Sequence, residues 1–119
     1  MDERFRRAGA ILGGAAMKKL SESRVAVLGL GGVGSWCAEA LCRSGVGTLN
    51  LLDQDTVSLS NVNRQLFALT STLDLPKAEA AAERLRDIAP ESRIVPMVYR
   101  YSHETRDTLL DLKPDFIVE

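Results

Sequence analysis

The stretch Gly29-Leu30-Gly31-Gly32-Val33-Gly34 constrains this chain more tightly than any other, because of what stands on either side of it. Before it runs Arg24 to Leu30 (Arg-Val-Ala-Val-Leu-Gly-Leu), short, β-branched and almost wholly apolar. Such a run suits a strand covered on both faces, as in a parallel sheet. Behind it, Val33 to Arg43 reads as a helix, with Gly45 placed to cap its C-terminus. In a strand, G-x-G-x-x-G loop and helix of this kind, Gly29 allows the tight turn and Gly31 lets backbone approach a phosphate. Gly34 lets helix and strand pack closely. The helix N-terminus then offers free N–H groups and a positive dipole end to an anion.

The rest of the chain alternates in the same manner. Glu3 to Leu20 is helical in character, with a break near Gly13-Gly14, and makes an N-terminal segment over residues 1–21. Thr48 to Asp53 reads as a second strand, Leu75 to Ala89 as the clearest helix, Arg93 to Val98 as a third strand, Ser102 to Leu112 as a short helix and Asp115 to Val118 as a buried fourth strand. Pro76 suits the first turn of the long helix, Asp74 is a candidate cap, and Pro90 ends it. Strands alternating with helices predict an α/β fold: a Rossmann-like parallel sheet over residues 24–119, with helices on both faces, preceded by the N-terminal helical segment. A length of 119 residues suits one domain of ordinary size.

Composition excludes several classes. The formal net charge of −1 argues against a bulk electrostatic binder of nucleic acid. No apolar run approaches the roughly 18 residues of a membrane helix, and the charged start Met1-Asp2-Glu3-Arg4 is not a signal peptide. Cys37 and Cys42 fall about 140° apart around a helix, which suits neither a disulfide nor a shared metal. A reducing cytoplasm is the expected compartment. Arg84, Arg86 and Arg93 read as a solvated face.

Three groups of residues carry the chemistry. Asp53 sits about 20 residues beyond Gly34, at the end of the second strand, where a ribose-binding acid belongs in a Rossmann unit. Asn61-Val62-Asn63-Arg64-Gln65 follows in a loop expected at the carboxyl ends of the strands, where ligands of such folds bind. Amides there suit ribose and phosphate oxygens, and Arg64 suits a bidentate phosphate contact; a polar turn explains the same residues. Lys77 opens the long helix, where a cation opposes the helix dipole at about 0.3–1 kcal/mol. A triphosphate beside it would offset that cost; a solvated lysine is the plainer alternative. The glycines and Asp53 alone do not choose between NAD, FAD and ATP.

Taken together, Gly29 to Ser35 (GLGGVGS), Gly45-Val46-Gly47, Asp53-x-Asp55, Asn61 to Gln65 and Pro76-Lys77 stand in an order and spacing that resemble the ThiF/MoeB/HesA superfamily, related to the activating enzymes of ubiquitin-like proteins. Arg4-Phe5-x-Arg7 and Leu12-Gly13 fit as well. Gly-Gly-Val-Gly-Ser-Trp and Asn-Val-Asn-Arg-Gln look most like the tRNA threonylcarbamoyladenosine dehydratase branch. The resemblance implies adenylation: a carboxylate attacks the α-phosphate of ATP, giving an acyl-adenylate and pyrophosphate. In that branch the carboxylate belongs to a threonylcarbamoyl group on a tRNA adenosine, and its activation lets the group cyclise.

By the same resemblance, Gly29, Gly31, Gly32 and Gly34 line the phosphates and Asp53 holds the ribose, with Asp55 beside it. Asn61, Asn63, Arg64 and Lys77 serve the phosphates, Gln65 supports the loop, and Arg7 enters the site of a partner subunit in a homodimer. Mg²⁺ is implied, with its aspartate expected beyond residue 119. The chain is expected to be an N-terminal piece that binds ATP weakly and catalyses little by itself. It departs from the family at Asp74, where glycine is usual. Activation of a sulfur-carrier protein's C-terminus, with a carrier or cysteine desulfurase as partner, is the alternative within the superfamily; an NAD- or FAD-dependent oxidoreductase is the alternative outside it.

Overall fold

The computed structural model describes residues 2–119. Four parallel strands form one sheet in the order β3-β2-β1-β4, with β1 Arg24–Leu28, β2 Thr48–Leu52, β3 Arg93–Met97 and β4 Phe116–Val118. The helices are α1 Arg6–Leu12, α2 Gly14–Glu22, α3 Gly34–Arg43, α4 Lys77–Ile88 and α5 Arg106–Asp111. The strand order steps outward from β1 to β3 and then returns to the other side of β1. A ligand crevice is expected at that reversal, beyond the carboxyl ends of the strands.

The alternation of side chains along the strands sorts the core into two layers. Val25, Val27, Leu49 and Leu51 pack with Ala38 and Cys42 of α3 and with Ala78, Ala81, Ala82 and Leu85 of α4. The small face of α4 lets that helix lie close to the sheet. Ala26 and Leu52 face the other way and meet Leu109 of α5. Phe5 and Leu20 of the N-terminal segment close the larger layer. The break between α1 and α2 falls at Gly13, which has φ +88°.

Gly45, at φ +98°, ends α3. Its N–H donates to the carbonyl of Cys42, and the N–H of Val46 donates to that of Leu41. This paired capping turns the chain back toward the sheet and satisfies carbonyls that a helix end leaves free.

Four expectations change. The long helix starts at Lys77 rather than Leu75, because Pro76 lies in an extended conformation and pairs with Thr56 in an isolated antiparallel bridge. Asp74 does not cap that helix; it takes φ +69°, a left-handed conformation that favours glycine, and its N–H donates to the carbonyl of Val57. The fourth strand is not buried: it pairs with β1 alone, leaving Phe116 and Ile117 exposed. Arg84 and Arg86 do not form a free solvated face. Arg84 bonds Glu39 of α3 and Arg86 donates to the carbonyl of Ile94. Arg93 is exposed.

Glu39 is buried between α3 and α4, where its carboxylate accepts from both Arg84 and Arg43. The Arg84 hydrogen bond, more than any other influence, holds its pKa below the usual glutamate value. Since the folded state favours the ionised form, the stabilisation is present above the unfolded pKa and lost as the pH falls through the lowered folded value. Glu39→Gln is therefore expected to lose about 1.5–3 kcal/mol at neutral pH. In urea unfolding, the gap to the parent chain should close as the pH drops below about 4. A gap independent of pH would show that the charge of Glu39 contributes nothing.

Candidate functional site

At the carboxyl ends of the strands lies an open cleft of about 300 Å³, lined among others by Leu28, Gly29, Leu52, Asp53, Asp55 and Tyr99. Burial pushes the Tyr99 hydroxyl above its ordinary pKa, so it stays protonated at neutral pH. The cleft stands where the glycine loop leaves β1 and where the second strand delivers its acid.

The glycine loop is shaped by contacts that do not tolerate larger residues. Gly29 has φ +91°. A Cβ on Gly34 would overlap the carbonyl oxygen of Gly29, so the first turn of α3 sits directly against the end of β1. Gly31 and Gly32 differ. A Cβ on Gly31 would meet Gln65 Nε2 at 3.7 Å, and one on Gly32 would meet Arg64 Cγ and Cδ at 3.8 Å, both ordinary contacts. The fold therefore requires Gly34 for space, whereas Gly31 and Gly32 have room for a Cβ.

Asp53 is anchored by backbone. One carboxylate oxygen accepts from Leu30 N–H and the other from Asp55 N–H, each at 2.8 Å. It thus ties the end of β2 to the glycine loop and still has free lone pairs toward the cleft. Asp55 is exposed beside it.

The loop after β2 comes back over the glycines. Asn61 spends its side-chain oxygen on Ser58 N–H, a turn contact. Asn63 accepts from Arg64 Nη1 at 2.9 Å, and Ser60 carbonyl accepts from the same nitrogen at 3.3 Å. Arg64 is exposed, is held against Gly32 and, among the described residues, has no carboxylate partner. Gln65 is buried against Gly31.

Lys77 is the least expected of these groups. It is only 8% exposed, so its stem is packed rather than free in solvent. Its backbone N–H donates to the carbonyl of Asp55 at 2.9 Å, which fixes the start of α4 beside the end of the second strand. Among the described residues its ammonium has no carboxylate partner, and since no buried side-chain nitrogen there lacks a hydrogen bond, the ammonium itself reaches the surface. A cation in the first turn of a helix opposes the dipole, a cost that an anionic ligand would relieve.

Two further residues join this loop to the glycines. Ser35 is fully buried; its hydroxyl donates to Gly31 carbonyl at 2.5 Å and accepts from Leu66 N–H at 3.1 Å. Trp36 donates its indole N–H to Arg64 carbonyl at 3.0 Å. The Ser35 bond four residues back along the helix has a local signal, since serine commonly bonds such carbonyls. The Trp36 bond spans too much sequence for any local pattern to disclose.

Other predicted residues lie apart. Arg7 is exposed on α1, and the N-terminal segment packs over Gly45, at the end of α3 away from the glycine loop. Cys42 is buried and bonds Leu85 carbonyl, and burial raises its pKa, which suits packing rather than reactivity. The cleft carboxylates do not make a metal site by themselves: the described residues include no group of three His, Cys, Asp or Glu able to hold a metal ion.

A parallel sheet with a glycine loop, an acid ending the second strand and a crevice at the strand reversal defines a Rossmann-like α/β unit. The ThiF family matches residues 5–119, and the chain belongs to that family. It is 43% identical over 119 residues to the tRNA threonylcarbamoyladenosine dehydratase of Bacillus subtilis, covering 100% of this chain and 47% of that protein. To the molybdopterin-synthase adenylyltransferase of Escherichia coli it is 46% identical over 78 residues, 66% of this chain and 31% of that one. The crystal structure of E. coli tRNA N6-threonylcarbamoyladenosine dehydratase, TcdA, in complex with ATP matches it with a TM-score of 0.94 at 36% identity, covering 97% of this chain and 47% of that one. The chain thus spans less than half the length of these relatives.

The packing at Gly34 gives a direct expectation. Gly34→Ala should destabilise the chain by about 3 kcal/mol or more, or abolish folding, because the backbone it meets cannot move aside. Gly31→Ala should stay within about 1 kcal/mol of the parent. Thermal unfolding of the two variants checks this; equal losses would contradict the contact geometry.

Proposed function

We propose that this chain is the ATP-binding part of an enzyme that activates a carboxylate as an acyl-adenylate. The substrate we infer is threonylcarbamoyladenosine in tRNA, which the enzyme would cyclise with loss of water. The observation that carries the reading is the pair Lys77 and Arg64, the first fixed by its backbone to Asp55 of the cleft and the second set against Gly32, neither with a carboxylate partner among the described residues. Membership of the ThiF family and the likeness to an ATP complex of a dehydratase support it.

In this reading the N–H groups at the start of α3 and the backbone of Gly31 and Gly32 receive the phosphates, beside the turn at Gly29 and the close contact at Gly34. Asp53 accepts from the ribose hydroxyls through the lone pairs its backbone contacts leave free, with Asp55 at the rim. Arg64 and Lys77 neutralise charge on the phosphates as it shifts toward the departing pyrophosphate, the usual way a protein speeds such a transfer. Asn63 steadies the Arg64 guanidinium, and Asn61 and Gln65 hold the loop. The carboxylate oxygen bonds to the α-phosphorus while the bond to the bridging oxygen breaks. Mg²⁺ would shield the triphosphate in the whole enzyme, and no described residue is assigned to it.

Arg7, exposed on α1, would act in the site of a second subunit of a homodimer. Among the described residues no helix is long and apolar enough to cross a membrane, and we place the enzyme in the cytoplasm. The identity to the molybdopterin-synthase adenylyltransferase favours one second reading, activation of a sulfur-carrier protein's C-terminus by the same chemistry.

Calorimetry with ATP and with NAD separates adenylation from redox use of the fold. ATP should bind and NAD should not; NAD binding as tight or tighter would overturn the reading. Arg64→Ala and Lys77→Ala should each reduce ATP-dependent turnover of the full-length protein about tenfold or more, and parent-like turnover would remove that residue from the site.

A further inference from the structure

Within the nucleotide-binding reading, we propose that Ser35 and Trp36 are positioning residues that lock the loop after β2 onto the glycine loop and so aim Arg64. The argument begins with how two adjacent side chains divide one short segment. Trp36 holds the carbonyl of Arg64, and Ser35 holds the N–H of Leu66, so the backbone is pinned on both sides of Gln65. The same Ser35 hydroxyl donates to Gly31 carbonyl, which makes it the single atom shared by the two loops. Both its donor and its acceptor capacity are used in that bridge.

The side chain of Arg64 has no comparable tether to an acid. Its stem rests against Gly32, and one guanidinium nitrogen is held by Asn63 and by the Ser60 carbonyl, all within its own loop. Its placement relative to the glycine loop therefore depends on the backbone being fixed from outside, and Ser35 and Trp36 supply that fixing. A guanidinium recognises phosphate through a planar fork, so its use depends on angle as well as distance. Small misplacements of such groups are costly to a reaction.

Trp36 is 57% exposed, so apolar burial does not explain an indole at this position. Its N–H contact with Arg64 does. Ser35, by contrast, is fully buried and contacts both loops from inside.

The chain has one tryptophan, which makes the test direct. ATP is titrated into the chain by calorimetry and, separately, by Trp36 emission. The emission should change saturably with the calorimetric affinity. Trp36→Phe and Ser35→Ala should weaken ATP binding about threefold to tenfold. In an Arg64→Ala background neither should weaken it further, because both act through that side chain; a merely structural role would give additive losses. Trp36→Phe replaces an exposed ring by a smaller one and keeps the test intact if Ser35→Ala fails to fold.

Absence of any calorimetric ATP signal in the parent would overturn the nucleotide reading and this proposal with it. ATP binding with silent Trp36 emission, unchanged affinity in Trp36→Phe, or additive losses with Arg64→Ala would overturn the clasp alone.

Discussion

The structure depends on the approach of α3 to the end of β1, where Gly34 lies against the Gly29 carbonyl with no room for a side chain. That contact sets the height at which the helix N-terminus meets the cleft. It also brings Ser35 under Gly31 and Trp36 beside the returning loop. From the other side, Asp53 reaches back to Leu30 N–H. The glycine loop is therefore held by a helix, by the second strand and by the loop after it, three elements that the sheet brings together.

Around this point the charges are distributed unevenly. Arg84 and Arg43 share Glu39, and Arg86 meets the carbonyl of Ile94. Arg64 and Lys77 have no such acid among the described residues. One is exposed beside the glycines and the other is buried at the start of α4. It is on Arg64 and Lys77 that the proposal of an anionic ligand rests.

Much of this was legible in the residues. The apolar run of β1, the glycines and the acid ending β2 are local patterns, and they led to the parallel sheet and the cleft. Strand and helix boundaries failed where long-range pairing decided them: Pro76 is taken out of the helix by its bridge to Thr56. Arg84 was read as solvated because its partner lies on another helix, far away in sequence. Phe116 and Ile117 looked buried by composition, yet an edge strand buries only what its single neighbour and the covering helices reach. For the site, residue types were readable and their engagement was not. Nothing local separates an asparagine that serves a turn, such as Asn61, from one that serves a ligand.

The anchoring of Asp53 by two backbone N–H groups has a consequence for how this cleft meets a nucleotide. The carboxylate does not swing freely in solvent and then settle on a ribose. Its rotamer and the turn around it are set when the chain folds. The freedom that a flexible side chain would surrender on binding has already been given up. In the proposed nucleotide reading, recognition of a sugar here would then rest on shape prepared in advance.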